Sequence, residues 1–198
     1  MKTLEQKTKV VGEIKAEFYD QSTLSETDKK INKVLESIKK KLLPKLRGRL
    51  RAEFYKRYQK TYRLGNKIGE DKKKNVICNA GFNAITKLLT GDTTYTGEIN
   101  KALLGSGVGS ASASDTTLIT EAYRNDIASG SEDSNIAYLT AFFTEAECSG
   151  TFTEFGNCID GTGTVDTGQL WSHLAGLNWV KDTNTALVIS CKYTFASA

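Results

Sequence analysis

Residues 186–195, Ala-Leu-Val-Ile-Ser-Cys-Lys-Tyr-Thr-Phe, carry the clearest structural pattern in the chain. Apolar side chains recur at every second position from Leu187 to Phe195, and smaller or polar side chains lie between them. This alternation is typical of a β-strand that buries one face. Cys191 falls on the apolar face, so we expect its thiol to be buried and unreactive.

The sequence before this strand has a similar character. From residue 92 to 198, Ser and Thr supply 27 of 107 positions, and Gly-rich turns separate short apolar stretches. A short helix over about 76–90, closed by Gly91, precedes them. Further strands are predicted at 98–105, 117–128, 136–146, 151–159, 168–175 and 178–195. Residues 75–198 are therefore predicted to form a mainly antiparallel β-sandwich.

Residues 1–74 have a helical pattern instead. A weak periodicity predicts a short helix within residues 1–24, and Ser25 is placed to cap a second, amphipathic helix. Pro44 must kink or break that helix, and Gly65 opens a charged linker over 65–74. The predicted fold is thus α+β, with an N-terminal basic helical arm (1–74) followed by the β-sandwich domain (75–198).

The same two segments also differ in net charge. Residues 1–74 hold 22 Lys and Arg against 10 Asp and Glu, a net charge of +12. Residues 75–198 hold 5 against 13, a net charge of −8, so the whole chain carries +4. This asymmetry indicates a basic end and an acidic end. Two copies would attract each other head to tail, although a nucleic acid or an acidic partner would also suit the basic end.

The basic helix over 39–63 has eleven Lys or Arg and one acid, Glu53, with aromatic side chains among them. Its apolar residues follow a four-residue step, which spirals around a helix of 3.6 residues per turn and suits docking on neighbouring subunits. The predicted docking residues are Ile31, Leu35, Ile38, Leu42, Leu46, Leu50, Phe54, Tyr58 and Tyr62. The residues predicted to contact phosphate or an acidic partner are Lys45, Arg47, Arg49, Arg51, Arg57 and Arg63. Protein docking is favoured over nucleic-acid binding, because a charged patch alone specifies only steering.

Groups for enzymatic chemistry are few. His173 is the only histidine, and no nucleophile motif accompanies it. The loop 105–110 lacks the third glycine of a dinucleotide-binding motif, and the four cysteines lack zinc-site spacing. We therefore expect no enzyme activity, no metal and no cofactor. Reduced thiols are the simplest state for the cysteines, although Cys148 and Cys158 lie close enough in sequence for a disulfide.

Targeting signals are also not evident. No apolar run approaches the length of a membrane-spanning helix, and the first residues lack the apolar core of a secretory signal. We expect no membrane partner.

An ordered set of short motifs covers roughly residues 75–198. A helix with the ends Asn79-Ala80-Gly81-Phe82 and Leu88-Leu89-Thr90-Gly91 comes first. The later motifs are Leu103–Gly107, Ser114–Leu118 with Glu121 and Arg124, Thr153–Gly156, and Lys181 to Leu187. This set resembles β-sandwich modules in the structural proteins of tailed viruses of bacteria and archaea. The resemblance implies a component of the virion tail, fibre, neck or capsid surface.

Three hypotheses follow from these observations. The first is a virion structural protein, assembled in the host cytoplasm, that forms a homo-oligomer (a ring or trimer) and contacts other virion proteins. The second is a protein that contacts the genome through the helix 39–63. The third is a carbohydrate-binding module that stacks sugars on Trp171 or Trp179. Arg124 is expected to form a structural ion pair with Glu121 or Glu154.

Overall fold

The computed structural model describes residues 8–197, which form a closed barrel of eight antiparallel strands with three α-helices. The strands are β1 (Thr8–Asp20), β2 (Asn66–Ile77), β3 (Ile99–Gly105), β4 (Glu121–Asp133), β5 (Ile136–Phe143), β6 (Gly150–Ile159), β7 (Gln169–Lys181) and β8 (Thr185–Ser197). The helices are α1 (Glu26–Leu42), α2 (Gly48–Thr61) and α3 (Asn79–Leu89). Around the barrel the order is β1, β2, β7, β6, β3, β4, β5 and β8, and β8 pairs with β1 to close the sheet.

The predicted β-sandwich is wrong, because the sheet closes on itself. The segment predicted to be an arm supplies the closing strands: β1 pairs with β8 along its whole length and with β2 on its other side. The expected linker and the boundary at residue 74 both fall within β2. The segment 75–198 contains only six complete strands, and without β1 and β2 they would form an open sheet.

The short helix predicted within residues 1–24 is instead strand β1, and residues 1–7 lie outside the described part of the chain. Ile14 and Ala16 are buried inside the barrel, whereas Lys15 and Glu17 form an ion pair on the outer face. The apolar residues here fit a period of two as well as a helical one. Pairing with strands on both sides then outweighs the weak local preference for helix.

The barrel interior is filled mainly by large apolar side chains. They include Phe143, Phe155, Trp171, Trp179, Leu187, Ile189 and Tyr193. Polar groups also lie there: the hydroxyl of Tyr193 is 2.8 Å from Ser172 Oγ and 2.7 Å from Asn157 Oδ1. Buried polar atoms are tolerated when they are hydrogen-bonded in this way.

Helices α1 and α2 fold back on the barrel, so the predicted extended arm is also wrong. Ser25 caps α1 by accepting a hydrogen bond from the Asp28 amide at 3.1 Å. The chain breaks in a 3₁₀ turn at Pro44, and α2 returns across the outer face of the sheet. The aromatic side chains of α2 are covered there by Phe142 and by the alanines of β4 and β8. We call α1 and α2 together the helical hairpin.

Helix α3 lies against one end of the barrel. Gly81 packs so closely on the indole of Trp171 that a Cβ at this position would lie 2.7 Å from Trp171 Cε3. Phe82 follows it, with its ring centroid 5.8 Å from that of Trp171. The close approach of α3 to β7 therefore depends on a residue without a side chain.

We expect Gly81→Ala to lower the free energy of unfolding. Overpacking against the buried indole costs about 1–3 kcal/mol, which exceeds the roughly 1 kcal/mol that alanine gains over glycine in a helix. Urea denaturation measures the difference. Gly163→Ala is the matched control, since a Cβ there meets nothing within 4 Å. Equal stability of the two variants would contradict this account of the α3 contact.

Candidate functional site

The inner face of the helical hairpin uses several of the predicted docking residues for folding. Leu35, Phe54, Tyr58 and Tyr62 pack in the cluster between the hairpin and the barrel, together with Tyr55. These residues are therefore not available for docking on a neighbouring subunit. The same burial removes the aromatic rings that a base-stacking surface would need.

The buried tyrosine hydroxyls also have partners within the chain. Tyr55 Oη donates to Asn125 Oδ1 at 2.8 Å, and Tyr58 and Tyr62 donate to the carboxylates of Glu36 and Glu145. Burial raises the pKa of all three tyrosines far above the usual range. They are therefore neutral donors at physiological pH.

Lys39 is a buried anchor of the hairpin, which the sequence did not reveal. Its ammonium group lies 2.5 Å from Glu147 Oε1 and 4.9 Å from the centroid of the Tyr58 ring. A carboxylate partner and an aromatic face together compensate for removing this charge from water. One cation of the predicted basic helix is thus part of the fold.

The outer face of the hairpin leaves apolar side chains in water. Val34 is 58% exposed, Ile38 39%, Leu42 43% and Leu50 70%. We call these four residues the outer stripe. Three of them follow one another at four-residue spacing along α1, which places them on one side of the helix. Val34 was not among the predicted docking residues, although its spacing from Ile38 is the signal that identifies it.

Unpaired cations border the outer stripe. Lys45, Arg47, Arg49 and Arg57 are exposed, and within residues 8–197 none of them forms an ion pair. The two other arginines predicted to contact phosphate, Arg51 and Arg63, do have acidic partners. Arg51 binds Asp126, which also binds Lys101, and Arg63 Nε lies 3.7 Å from Asp28 Oδ1.

The remaining predicted docking residues, Ile31 and Leu46, are half-buried. The hairpin thus combines exposed apolar side chains with exposed cations that have no ion-pair partner within residues 8–197.

A second polar cluster surrounds the only histidine. His173 and Glu154 are fully buried, with His173 Nε2 3.0 Å from Glu154 Oε2 and His173 Nδ1 2.6 Å from Asp115 Oδ2. A neutral imidazole has a single N–H, so two such contacts require an additional proton shared among the three groups. Glu154 also accepts hydrogen bonds from the amides of Gly107, Ile119 and Thr120. The cluster therefore fastens the segment 106–120 to the barrel wall.

The predicted ion pair of Arg124 involves only one of its two candidate partners. Arg124 Nε and Nη2 donate to the two carboxylate oxygens of Glu121 at 2.5 and 2.6 Å, a bidentate and nearly buried pair. Glu154 instead belongs to the His173 cluster. Glu154 lies beside the amides of 106–120 only in the folded chain. No residue spacing in the sequence indicated that it would accept their hydrogen bonds.

We expect Glu154→Gln to lower the free energy of unfolding by about 3 kcal/mol. The amide nitrogen of glutamine cannot accept hydrogen bonds, so at least one buried backbone amide loses its partner. Urea denaturation measures the loss, and hydrogen exchange should accelerate at Gly107, Ile119 and Thr120. Glu98→Gln, at an exposed position, is the control. A loss below about 1 kcal/mol would contradict the proposed fastening role.

All four cysteines are free thiols. Burial raises the pKa of Cys78 to about 12 and that of Cys158 to about 11. It also raises the pKa of Cys191, which lies on the inner face of β8. Cys148 is half-buried, with a pKa of about 11.

We expect all four thiols to react slowly with a disulfide reagent at pH 8 in the folded protein. The thiolate is the reactive form, and a raised pKa makes it scarce. The rate should keep rising about tenfold per pH unit up to pH 10, whereas an unperturbed thiol levels off near its pKa of about 8.5. The urea-denatured chain is the control, in which all four should react quickly. A plateau near pH 8.5 in the folded protein would contradict the burial of these thiols.

The tryptophans do not offer stacking platforms, so the carbohydrate-binding hypothesis loses its basis. Trp171 and Trp179 are both buried in the barrel. The indole nitrogen of Trp179 donates to Asp71 at 2.9 Å.

Comparisons of the chain with protein-family models, with curated proteins and with solved structures return no match. Among the helices of residues 8–197, none is long and apolar enough to cross a membrane. Within the same residues, no group of three or more His, Cys, Asp or Glu side chains is placed to hold a metal ion.

Proposed function

We propose that the protein is a non-enzymatic structural subunit that assembles with copies of itself through the outer face of the helical hairpin. The observation that supports this is the outer stripe, which remains in water although the aromatic side chains of the hairpin are packed against the barrel. Exposed apolar groups that lie together and are rimmed by polar residues mark interaction surfaces. The cations beside the stripe favour an acidic partner surface.

A second copy of the chain supplies such a surface. The segment 75–198 carries a net charge of −8, and Glu132 and Asp133 are exposed at the end of β4. Contact between the hairpin of one copy and the acidic surface of the next is heterologous. Interfaces of this kind close into rings when the rotation permits. A ring, including a trimer, is therefore the proposed oligomer.

The resemblance of residues 75–198 to tailed-virus structural proteins supplies the proposed setting. In that setting the subunit belongs to the tail, neck, fibre or capsid surface of a virion and contacts other virion proteins. The positions of its motifs in the chain support this part of the proposal, and no comparison adds to it.

A specific observation also supports the alternative of genome contact. The exposed cations Lys45, Arg47, Arg49 and Arg57 lie on or beside α2 without ion-pair partners in residues 8–197. Phosphate groups would satisfy them without any stacking. Binding of this kind weakens steeply as salt rises, because counterions are released.

The test is light scattering after size exclusion, with absorbance at 260 and 280 nm, on three proteins. We expect the natural chain to form a defined oligomer free of nucleic acid. Val34→Asp should weaken association at least tenfold, since it places a carboxylate in the outer stripe. Val108→Asp is the matched control, because Val108 is 90% exposed outside the hairpin and its replacement should leave the mass unchanged.

The other outcomes have distinct meanings. A monomer at all concentrations, or an oligomer unaffected by Val34→Asp, would overturn assembly through this face. A monomer that elutes with nucleic acid, and loses it when Arg47, Arg49 and Arg57 are replaced by alanine, would place genome contact first.

A further inference from the structure

The barrel wall is paired along only part of the junction between β2 and β7. The two strands form two residue pairs, Val76–His173 and Ile77–Ser172. If this antiparallel register continued, residues 68–75 of β2 would pair with residues 174–181 of β7. Within the described part of the chain, these two stretches have ladder partners only in β1 and in β6, respectively. We call the two stretches together the open seam.

A bulge in β7 accounts for the open seam. Phe152 of β6 pairs with Trp179, whereas Glu154 pairs with Ala175, so four residue steps of β7 face two of β6. Gly176 lies inside this bulge with φ +70, and a Cβ at this position would meet nothing within 4 Å. A bulge bends its own strand and interrupts the ladder. β7 therefore turns away from β2 beyond the two residue pairs.

Side chains cross the open seam where a backbone ladder would otherwise run. The indole nitrogen of Trp179 donates to Asp71 Oδ2 at 2.9 Å, and Lys73 Nζ lies 3.4 Å from the carbonyl oxygen of Gly176. Within residues 8–197, no backbone–backbone hydrogen bond joins the two stretches. A strand edge with unpaired backbone groups can pair with another extended chain.

The charge of β2 selects the kind of chain that can pair there. Lys72, Lys73 and Lys74 are consecutive and exposed. Side chains alternate between the two faces of a strand, so this edge has cations on both faces. A second copy paired through the same residues would place lysine opposite lysine, which is destabilising. A strand with acidic side chains is attracted instead, because Lys73 and Lys74 form no ion pair within residues 8–197.

We propose that β2 binds an extended acidic segment of another protein by strand addition at the open seam. The backbone of the segment pairs with residues 68–75, and its carboxylates face the three lysines. Its flanking apolar side chains contact Ile68 and Val180, which are 60% and 59% exposed. The added strand takes the place of the two side-chain contacts across the seam. This site uses no residue of the helical hairpin, so it does not depend on the proposed assembly.

The test uses three peptides of seven residues with blocked ends. The first, Thr-Val-Glu-Glu-Glu-Val-Thr, carries one acid for each lysine. The second has lysine in place of glutamate. The third repeats the first with N-methyl groups on its three central amides, which keeps the charge but removes backbone donors that a ladder needs. Each peptide is titrated into the ¹⁵N-labelled full chain and followed by NMR.

The acidic peptide should move the amide signals of residues 72–74 and the indole N–H signal of Trp179. The indole signal of Trp171, which lies away from the open seam, should stay in place. The acidic peptide should also bind at least about tenfold more tightly than the lysine peptide or the methylated peptide. One net hydrogen bond or charge contact supports a ratio of this size.

Two charge variants connect the result to the open seam. Lys72→Glu, Lys73→Glu and Lys74→Glu combined should reverse the preference, so that the lysine peptide binds more tightly than the acidic one. The matched control replaces the exposed Lys33, Lys40 and Lys41 of α1 by glutamate, which is an equal change in net charge, and should keep the natural preference. The methylated peptide keeps the test decisive if the first variant fails to fold.

Four results would overturn the proposal. The first is absence of binding by the acidic peptide. The second is equal affinity for the methylated peptide, since the lysines would then attract anions without strand pairing. The third is an unchanged preference in the variant of residues 72–74. The fourth is protection of these amides from hydrogen exchange that rises with protein concentration without peptide, which would assign the edge to a second copy.

The Val34→Asp protein separates this proposal from the proposed assembly. It should bind the acidic peptide as tightly as the natural chain does, whether or not it still forms an oligomer.

Discussion

Strand β1 pairs with β8 on one side and with β2 on the other, and the barrel exists because of these two ladders. Without them, β8 and β7 would each present an unpaired edge, which is a hazard for aggregation. β1 also supplies Ile14 and Ala16 to the interior. The junction between β2 and β7 is much shorter, with two residue pairs, Val76–His173 and Ile77–Ser172. Closure therefore depends mainly on the ladder between β1 and β8.

Helix α2 joins the barrel wall to the proposed assembly surface. Its tyrosines anchor it to the barrel wall, and Arg51 fixes its first half to Asp126 on β4. The same helix carries Leu50 of the outer stripe, which is 70% exposed, and the exposed cations Arg49 and Arg57.

Much of the strand pattern could be predicted from local sequence, but the closure could not. Alternation in 186–195 indicates β8 directly, and Ser25 with Asp28 marks the start of α1. β1 is ambiguous, because its apolar residues fit both a helical and a strand period. The choice is made by pairing with β8, about 170 residues away in sequence, which no local pattern encodes. A sandwich was the natural expectation for the six strands that remain.

The candidate sites, like the fold, could be predicted from the sequence only in part. The spacing of Tyr58, Tyr62 and Leu50 in the sequence identifies an apolar stripe without telling which members face the barrel. Burial then assigns the tyrosines to the fold and Leu50 to the surface. Glu154 and His173 come together only through the pairing of β6 with β7. The open seam likewise depends on the bulge in the folded β7, and composition does not reveal it.

The ladder between the first and last strands also has a consequence for synthesis on the ribosome. β1 is made before every other strand of the barrel, whereas the β8 residues that pair with it lie 165 to 189 positions later in the sequence. Until β8 is made, one edge of β1 has no partner, and the cover over the hairpin tyrosines lacks Ala186. Contacts between distant parts of a chain form slowly, and exposed strands invite association with other chains. A chain made in this order therefore keeps one edge of β1 open to pairing with other chains until the last barrel strand has been made.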